Sequence, residues 1–238
     1  MNSLNRDVLV RLARLLGPLA DELVFVGGRV ADLLVTDPVG LRVRPTDDTD
    51  CVCEAATRVA YHRLGERLRT CGFVEDTTPG APICRWRAAD ELLDVMPVEG
   101  AVLGFGNAWF PHAIRLNSRV ELEPDVSIRV AAAPVFLATK WEAHNDRGGD
   151  AWYGDADIED VVRVVAGRPG IEGDIIATER DIRAFVAAEA RRFLASGVTE
   201  DVIAGSLPDA RTVPGLLDLV ARRFEAIAAL GEDPRRPR

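Results

Sequence analysis

The sequence predicts an α/β fold with a mixed sheet, followed by an α-helical C-terminal half. Two observations predict it. Short apolar segments bounded by glycine and proline alternate with amphipathic segments up to about residue 132. From Pro134 onward, almost every segment has helical periodicity. We therefore expect an α/β domain at residues 1–132, a helical domain at 133–230 and a disordered, charged and proline-rich tail at 231–238.

Composition narrows the class of protein. Of the 238 residues, 47% are apolar, which is enough for a sizeable core. The formal net charge of −9 argues against broad, nonspecific nucleic-acid binding, although a local basic groove remains open. No apolar run approaches the ~18 residues of a membrane span, and the first residues lack a signal-peptide layout. The four cysteines show no C-x-x-C spacing. We expect a cytoplasmic protein with buried, reduced thiols and no membrane partner.

The first elements are a helix, a strand and a turn of two glycines. Apolar residues at helical spacing predict a helix over residues 3–17, and residues 22–26 form a short strand. The strand runs into Gly27 and Gly28, after which helical spacing resumes over residues 29–34. Glycines let the backbone approach a ligand, and a helix N-terminus offers free N–H groups, so the arrangement suits phosphate. An ordinary tight turn is the alternative.

An acidic strand at residues 48–54 is the second candidate element. Side chains alternate along a strand, so Asp48, Asp50 and Val52 share one face and the intervening residues face the core. The two carboxylates then lie about 7 Å apart along the strand and repel each other unless a cation lies between them. Mg²⁺, held by carboxylates together with substrate phosphates, is the usual cation. A solvated acidic turn is the alternative.

The remainder of the α/β half predicts a helix and two hairpins. Residues 55–71 form the helix; residues 83–87 pair with 91–95, and 119–122 with 126–130. Asp94 lies inside the apolar strand 91–95, where a charge is costly to bury without a partner. It is either a third metal carboxylate or an exposed edge residue.

The helical half contains Lys140, the one lysine of the sequence. Helices are predicted at residues 134–145, 157–166, 178–196, 199–207 and 213–230. A single lysine among many arginines suggests a site that needs a compact charge, and we expect a phosphate contact; chance retention is the alternative. Asp157 and Asp160 lie one helical turn apart. They either orient Lys140 or Arg147 or have a structural role, with Asp157 well placed as an N-cap.

The order of these motifs resembles the DNA polymerase β-type nucleotidyltransferase fold, and more closely the AbiEii/AbiGii toxin-like family. Residues 44–50 resemble its R-x-T-x-D-x-D lead-in, residues 94–97 its D-V-M-P and residues 104–109 its G-F-x-N-x-W stretch. Residues 136–140, 147–148 and 157–160 resemble its helical motifs. The resemblance covers roughly residues 22–170. It departs from the fold's usual spacing in the nineteen residues between Gly28 and Asp48, which are more than usual.

The resemblance implies Mg²⁺-dependent transfer of NMP from an NTP. Asp48 and Asp50 would bridge two Mg²⁺ ions, and Asp94 would hold the catalytic metal and accept a proton from the attacking hydroxyl. The turn of glycines would cradle the β- and γ-phosphates. Further residues expected at the nucleotide are Arg29, Arg44, Thr46 and the catalytic Lys140. For each arginine, a plain surface charge is the alternative.

The acceptor is less defined. The resemblance implies a toxin–antitoxin or phage-defence role, with tRNA as the leading acceptor and a cognate antitoxin protein as a partner. A small molecule such as an aminoglycoside, or a protein hydroxyl, is the second possibility. A non-catalytic nucleotide-binding or partner-binding module is the third.

Overall fold

The computed structural model describes residues 3–37, 46–207 and 213–231. The described residues form two compact units. We call residues 3–30 and 46–132 the sheet unit, and the described residues of 31–37 and 133–231 the helical unit. The predicted α/β fold with a mixed sheet, followed by helices, is confirmed. Residues 232–238 of the predicted tail lie outside the described residues.

The sheet unit contains a seven-stranded mixed sheet. Its strands are β1 (Leu23–Val26), β2 (Asp48–Cys53), β3 (Val74–Glu75), β4 (Arg85–Ala88), β5 (Glu91–Pro97), β6 (Asn117–Glu123) and β7 (Val126–Ala131). Their order across the sheet is β3-β4-β5-β2-β1-β7-β6. The β2–β5 and β1–β7 pairs are parallel, and the other neighbours are antiparallel. Strands β5, β2 and β1 lie next to one another at the centre of the sheet, in the apolar core.

Helices of the sheet unit are α1 (Ser3–Leu16), α3 (Arg58–Thr70) and α4 (Phe110–Arg115), with 3-10 turns at Gly17–Glu22, Gly28–Val30 and Gly100–Val102. Helix α3 begins where the Thr57 side chain accepts a hydrogen bond from the Ala60 N–H at 3.1 Å. It connects β2 to β3, from which the chain continues through β4 to β5, and this crossover permits the parallel β2–β5 pairing. The short α4 was not predicted, since its six residues span too few turns to show a helical period.

The helical unit contains α2 (Ala31–Leu34), α5 (Ala133–Asp146), α6 (Ala156–Gly167), α7 (Ile171–Ala177), α8 (Arg180–Ala195), α9 (Thr199–Ser206) and α10 (Leu216–Ala229). An aromatic cluster forms part of its core, with the Phe193 ring 5.9 Å from Trp141 and 5.1 Å from Phe224. The predicted N-cap of α6 was wrong. Asp155 is the N-cap, because its carboxylate accepts the Asp157 N–H at 2.8 Å and the Ile158 N–H at 3.2 Å.

Residues 31–37 pack with the helical unit, which differs from the expected division into two contiguous halves. Arg163 Nε donates to Asp32 Oδ1 at 2.8 Å, and Arg168 Nη1 donates to the Leu34 carbonyl at 2.9 Å. These bonds join α2 to α6 and to the residue that follows it. The predicted helix over residues 29–34 is therefore a 3-10 turn in one unit followed by a single α-helical turn in the other.

No helix in the described part of the chain combines the length and apolar character that a membrane crossing needs.

Candidate functional site

Three neighbouring strands place charged side chains in one row across the sheet. The parallel β2–β5 pairing sets Asp50 opposite Asp94, and the antiparallel β4–β5 pairing sets Arg85 opposite Asp94. Residues directly opposite each other point to the same face of a sheet, and so do residues two apart on one strand. Asp48, Asp50, Asp94 and Arg85 therefore share one face. The structure brings the three predicted carboxylates together on adjacent strands.

Arg85 lies between two of these carboxylates. Its Nε donates to Asp94 Oδ1 at 2.8 Å, and its Nη2 donates to Asp94 Oδ2 at 2.8 Å and to Asp48 Oδ2 at 2.5 Å. The hydrogen bonds to Asp94, with the charge of both carboxylates, raise the pKa of Arg85 above its usual value. The Asp94 side chain is 8% exposed and that of Asp48 is 38% exposed. One guanidinium thus pairs with a buried carboxylate and a half-buried one, and the three groups together keep one negative charge.

Arg85 was not among the predicted site residues. The predicted hairpin of residues 83–87 and 91–95 is symmetric about its turn, and that symmetry pairs residue 84 with residue 94. The structure shifts this register by one residue, because residue 88 pairs with residue 91 across a two-residue turn and Arg85 then pairs with Asp94. A two-residue turn in place of the predicted three-residue turn would have identified Arg85 as the cross-strand partner of Asp94.

Gly27 brings the turn after β1 against the Asp50 carboxylate. Its φ of +73° lies in the left-handed region, which favours glycine. A Cβ atom at this position would overlap Asp50 Oδ2. The antiparallel β1–β2 pairing sets Val26 opposite Asp50, and this register brings the turn to the carboxylate. The main chain at Gly27 and Gly28 therefore lies beside the carboxylate row without a side chain between them.

Arg29 contacts main chain in the structure. It is only 5% exposed, and it donates from Nε to the Asp48 carbonyl at 3.1 Å and from Nη2 to the Thr46 carbonyl at 2.5 Å. Burial lowers its pKa below the usual value, with nearby acidic charges opposing that effect. Arg29 thus holds the entrance to β2, and its contact with a triphosphate stays a prediction.

The remaining residues predicted at the nucleotide precede β2. Thr46 Oγ1 is buried and has no hydrogen-bond partner within the described residues, so the hydroxyl has an unused donor. Arg44 lies outside the described residues. The contact of Thr46 with a nucleotide stays a prediction.

Lys140 lies in the helical unit, on α5, and is 8% exposed. Its Nζ lies 2.9 Å from Asp157 Oδ1 and 2.7 Å from Asp160 Oδ2. Asp157 also forms an ion pair with Arg147. Of the alternatives for the two aspartates, the structure thus shows that both contact Lys140 and that Asp157 also contacts Arg147. The phosphate contact of Lys140 stays a prediction.

The carboxylate row has the chemistry of a divalent-cation site. Asp48, Asp50 and Asp94 offer hard, anionic oxygen atoms from adjacent strands, which are the ligands that Mg²⁺ prefers. Oxygen atoms of Asp48 and Asp94 already converge on one positive group, the Arg85 guanidinium. The donor chemistry of these residues suits a magnesium ion, but within the described residues the three carboxylates do not meet as one compact ligand set, and Arg85 lies between two of them.

The sequence matches no known protein-family model, and it matches no curated protein. Among solved structures, the chain is similar to an antigenic nucleotidyltransferase-like protein from Paracoccidioides brasiliensis, with a TM-score of 0.47 and 15% sequence identity. The similarity covers 84% of this chain and 92% of that chain.

Proposed function

We propose that this protein is a Mg²⁺-dependent nucleotidyltransferase that transfers NMP from an NTP to an acceptor hydroxyl. One observation carries the proposal: the parallel β2–β5 pairing sets Asp94 beside Asp50, with Asp48 on the same face. The resemblance to the AbiEii/AbiGii toxin-like family supports it, since its D-x-D and D-V-M-P motifs fall on these two strands.

The roles follow from what nucleotidyl transfer requires. The reaction depends on charge neutralisation and in-line positioning more than on covalent participation of the protein. Asp48, Asp50 and Asp94 would hold the two Mg²⁺ ions, which would supply positive charge to the reacting phosphate. Asp94 accepts the proton of the attacking hydroxyl, whose oxygen bonds the α-phosphorus while the bond to the β-phosphate oxygen breaks and pyrophosphate leaves.

The glycine turn gives the phosphates access to the row. A phosphate can approach the main chain at Gly27 and Gly28, because neither residue carries a side chain. Asp50 lies against this turn, so a phosphate bound there lies next to the carboxylates. Separately from this turn, the family resemblance and the compact charge of Lys140 support a phosphate contact for that residue, whose Nζ pairs with Asp157 and Asp160 in the structure.

The acceptor that we propose is the 3′ end or acceptor stem of tRNA, on the basis of the resemblance. The same resemblance suggests a toxin with a cognate antitoxin protein. Transfer to a small molecule or to a protein hydroxyl would use the same carboxylates. The experiment that follows therefore also tests these two acceptors.

The experiment is a labelling assay. The purified protein is incubated with Mg²⁺, total tRNA and each α-³²P-labelled NTP in turn, beside the Asp48→Ala/Asp50→Ala variant. We expect label on tRNA, and a decrease of at least about 10³-fold in the variant, since loss of the metal ligands removes several kcal/mol of charge stabilisation. Asp47→Asn is the matched control, because Asp47 is the exposed neighbour of Asp48.

The result separates the possible acceptors. Label on the protein itself, or on an added aminoglycoside, retains the transferase and replaces tRNA as the acceptor. No transfer from any NTP to any acceptor, with NTP still bound, contradicts the proposal in favour of a binding module. Thermal unfolding of each variant shows whether a loss of label reflects a loss of folding.

A further inference from the structure

We infer that Arg85 is a resident counter-cation, which occupies the carboxylate row when no metal ion is bound and leaves the row when a divalent cation binds. The inference rests on the proposed function in one respect, that the row is a metal site. It concerns a residue that neither the motifs nor the proposed roles include. Arg85 is thus assigned the role of a competitor of the metal ion at this site.

The contacts of Arg85 are those that a metal ion would need. The guanidinium bonds both oxygen atoms of Asp94 and one oxygen atom of Asp48. A divalent cation held by the same two carboxylates would lie beside the guanidinium. Two cations in contact at a partly buried site repel each other strongly, because the effective dielectric constant there is far below that of water. Arg85 and a metal ion therefore compete for the carboxylates of the row.

The surroundings of Arg85 allow it to leave. Its side chain is 18% exposed, and β4 is the second strand from the edge of the sheet, so a long and flexible side chain can rotate toward solvent. Asp48 is more exposed than Arg85 and can accept water in its place. Arg29 makes the contrast clear: it is more deeply buried, and it bonds main-chain carbonyls that no metal ion would replace.

A metal titration tests the inference. Mn²⁺, which is followed by the EPR signal of the free ion, is titrated without nucleotide into the wild-type protein and into Arg85→Gln. We expect Arg85→Gln to bind Mn²⁺ about tenfold more tightly, because the competing charge-assisted hydrogen bonds are lost. Mn²⁺ should also raise the Tm of Arg85→Gln more than that of the wild-type protein, since Asp94 is left without its cation.

Arg87→Gln is the matched control. Arg87 lies two residues along the same strand and on the same face, and it has the same charge, but its nearest acidic partner is Asp76 at 3.9 Å. We expect this variant to bind Mn²⁺ as the wild-type protein does. Arg85→Gln/Asp94→Asn should bind Mn²⁺ more weakly than Arg85→Gln, which locates the bound ion at the row.

The outcomes separate this inference from the proposed function. Equal or weaker Mn²⁺ binding by folded Arg85→Gln, with clear binding by the wild-type protein, overturns the counter-cation role and leaves the transferase standing. No Mn²⁺ binding by any folded variant overturns both. If Arg85→Gln does not fold, Arg85→Lys decides, because lysine cannot form the two parallel bonds to Asp94. Tighter binding by Arg85→Lys supports the role, and unchanged binding overturns it.

Discussion

Two clusters in this protein each set one cation between two carboxylates, and they differ in how far water reaches them. In the sheet unit, Arg85 joins Asp94 to Asp48, whose side chain is 38% exposed. In the helical unit, Lys140 joins Asp157 to Asp160, and these three side chains are 10%, 9% and 2% exposed. A cation between two carboxylates therefore has a different consequence in each cluster. An accessible cluster can exchange its cation, whereas a buried one loses stability when its cation is removed.

The comparison also shows what each arrangement is built from. The accessible cluster draws its residues from three strands, whose register alone sets the distances between side chains. The buried cluster joins α5 to α6, with its two aspartates one helical turn apart. Removing the cation from the buried cluster leaves carboxylates that water cannot easily reach, and this difference is open to measurement.

The largest effect that we expect is from Lys140→Met. Removal of one partner from a buried ion pair leaves an uncompensated charge, which lowers the free energy of unfolding by about 3–5 kcal/mol. Arg85→Met should cost less than Lys140→Met, because Asp48 can be hydrated. Urea unfolding of both variants measures the difference.

Arg147→Met is the control for Lys140→Met. Arg147 also pairs with Asp157, but its side chain is 57% exposed, so we expect a loss below about 1 kcal/mol.

Equal costs for Lys140→Met and Arg85→Met would show that the exposure of the two clusters does not distinguish their roles.

A smaller effect is expected where the carboxylate row meets the glycine turn. Gly27→Ala adds a Cβ atom that overlaps Asp50, at a backbone φ of +73°. We expect a loss of about 2–3 kcal/mol in the free energy of unfolding, from backbone strain together with steric overlap.

Gly72→Ala isolates the strain from the overlap. Gly72 has a φ of +87°, and no heavy atom lies within 4 Å of a Cβ atom placed there. This variant should therefore lose only about 1 kcal/mol. The difference between the two variants, measured by urea unfolding, gives the cost of the contact with Asp50. Equal losses would contradict a tight approach of the turn to the carboxylate row.

The smallest effect compares the two ends of β2. Cys53 lies at the buried end, where burial raises the pKa of its thiol from 9.0 to about 11. Between pH 9 and 11 the unfolded chain loses this proton and the folded chain keeps it, so the unfolded state binds fewer protons. The free energy of unfolding should then fall as pH rises, by about 1.4 kcal/mol per pH unit.

Chemical denaturation at pH 8 and pH 10 tests this expectation on the wild-type protein and Cys53→Ala. The loss of stability between the two pH values should be smaller in Cys53→Ala. An identical loss in both proteins would show that this end of β2 is open to water, as the Asp48 end is.

Part of the candidate site was predictable from short stretches of sequence. The period of a strand puts Asp48 and Asp50 on one face. The predicted hairpin contains the strand that carries Asp94. The pairing of Asp94 with Asp50 across two strands was a hypothesis only, because these strands are far apart in sequence and pair in parallel. The roles of Arg29 and Asp155 were not predicted. Both depend on the position of main-chain groups, and residue type does not reveal that position.

What the sequence determined by itself is therefore local: the alternation of faces, the turns and most of the helices. Only the tertiary structure decided the register that sets Arg85, Asp94 and Asp50 in one row, and the burial that separates Lys140 from solvent. The physical reason is that periodicity and turn chemistry act over a few residues, while strand pairing and burial come from contacts between distant segments. Aspartates of similar appearance in the sequence thus acquire different surroundings, and it is these surroundings that distinguish a candidate metal site from a buried ion pair.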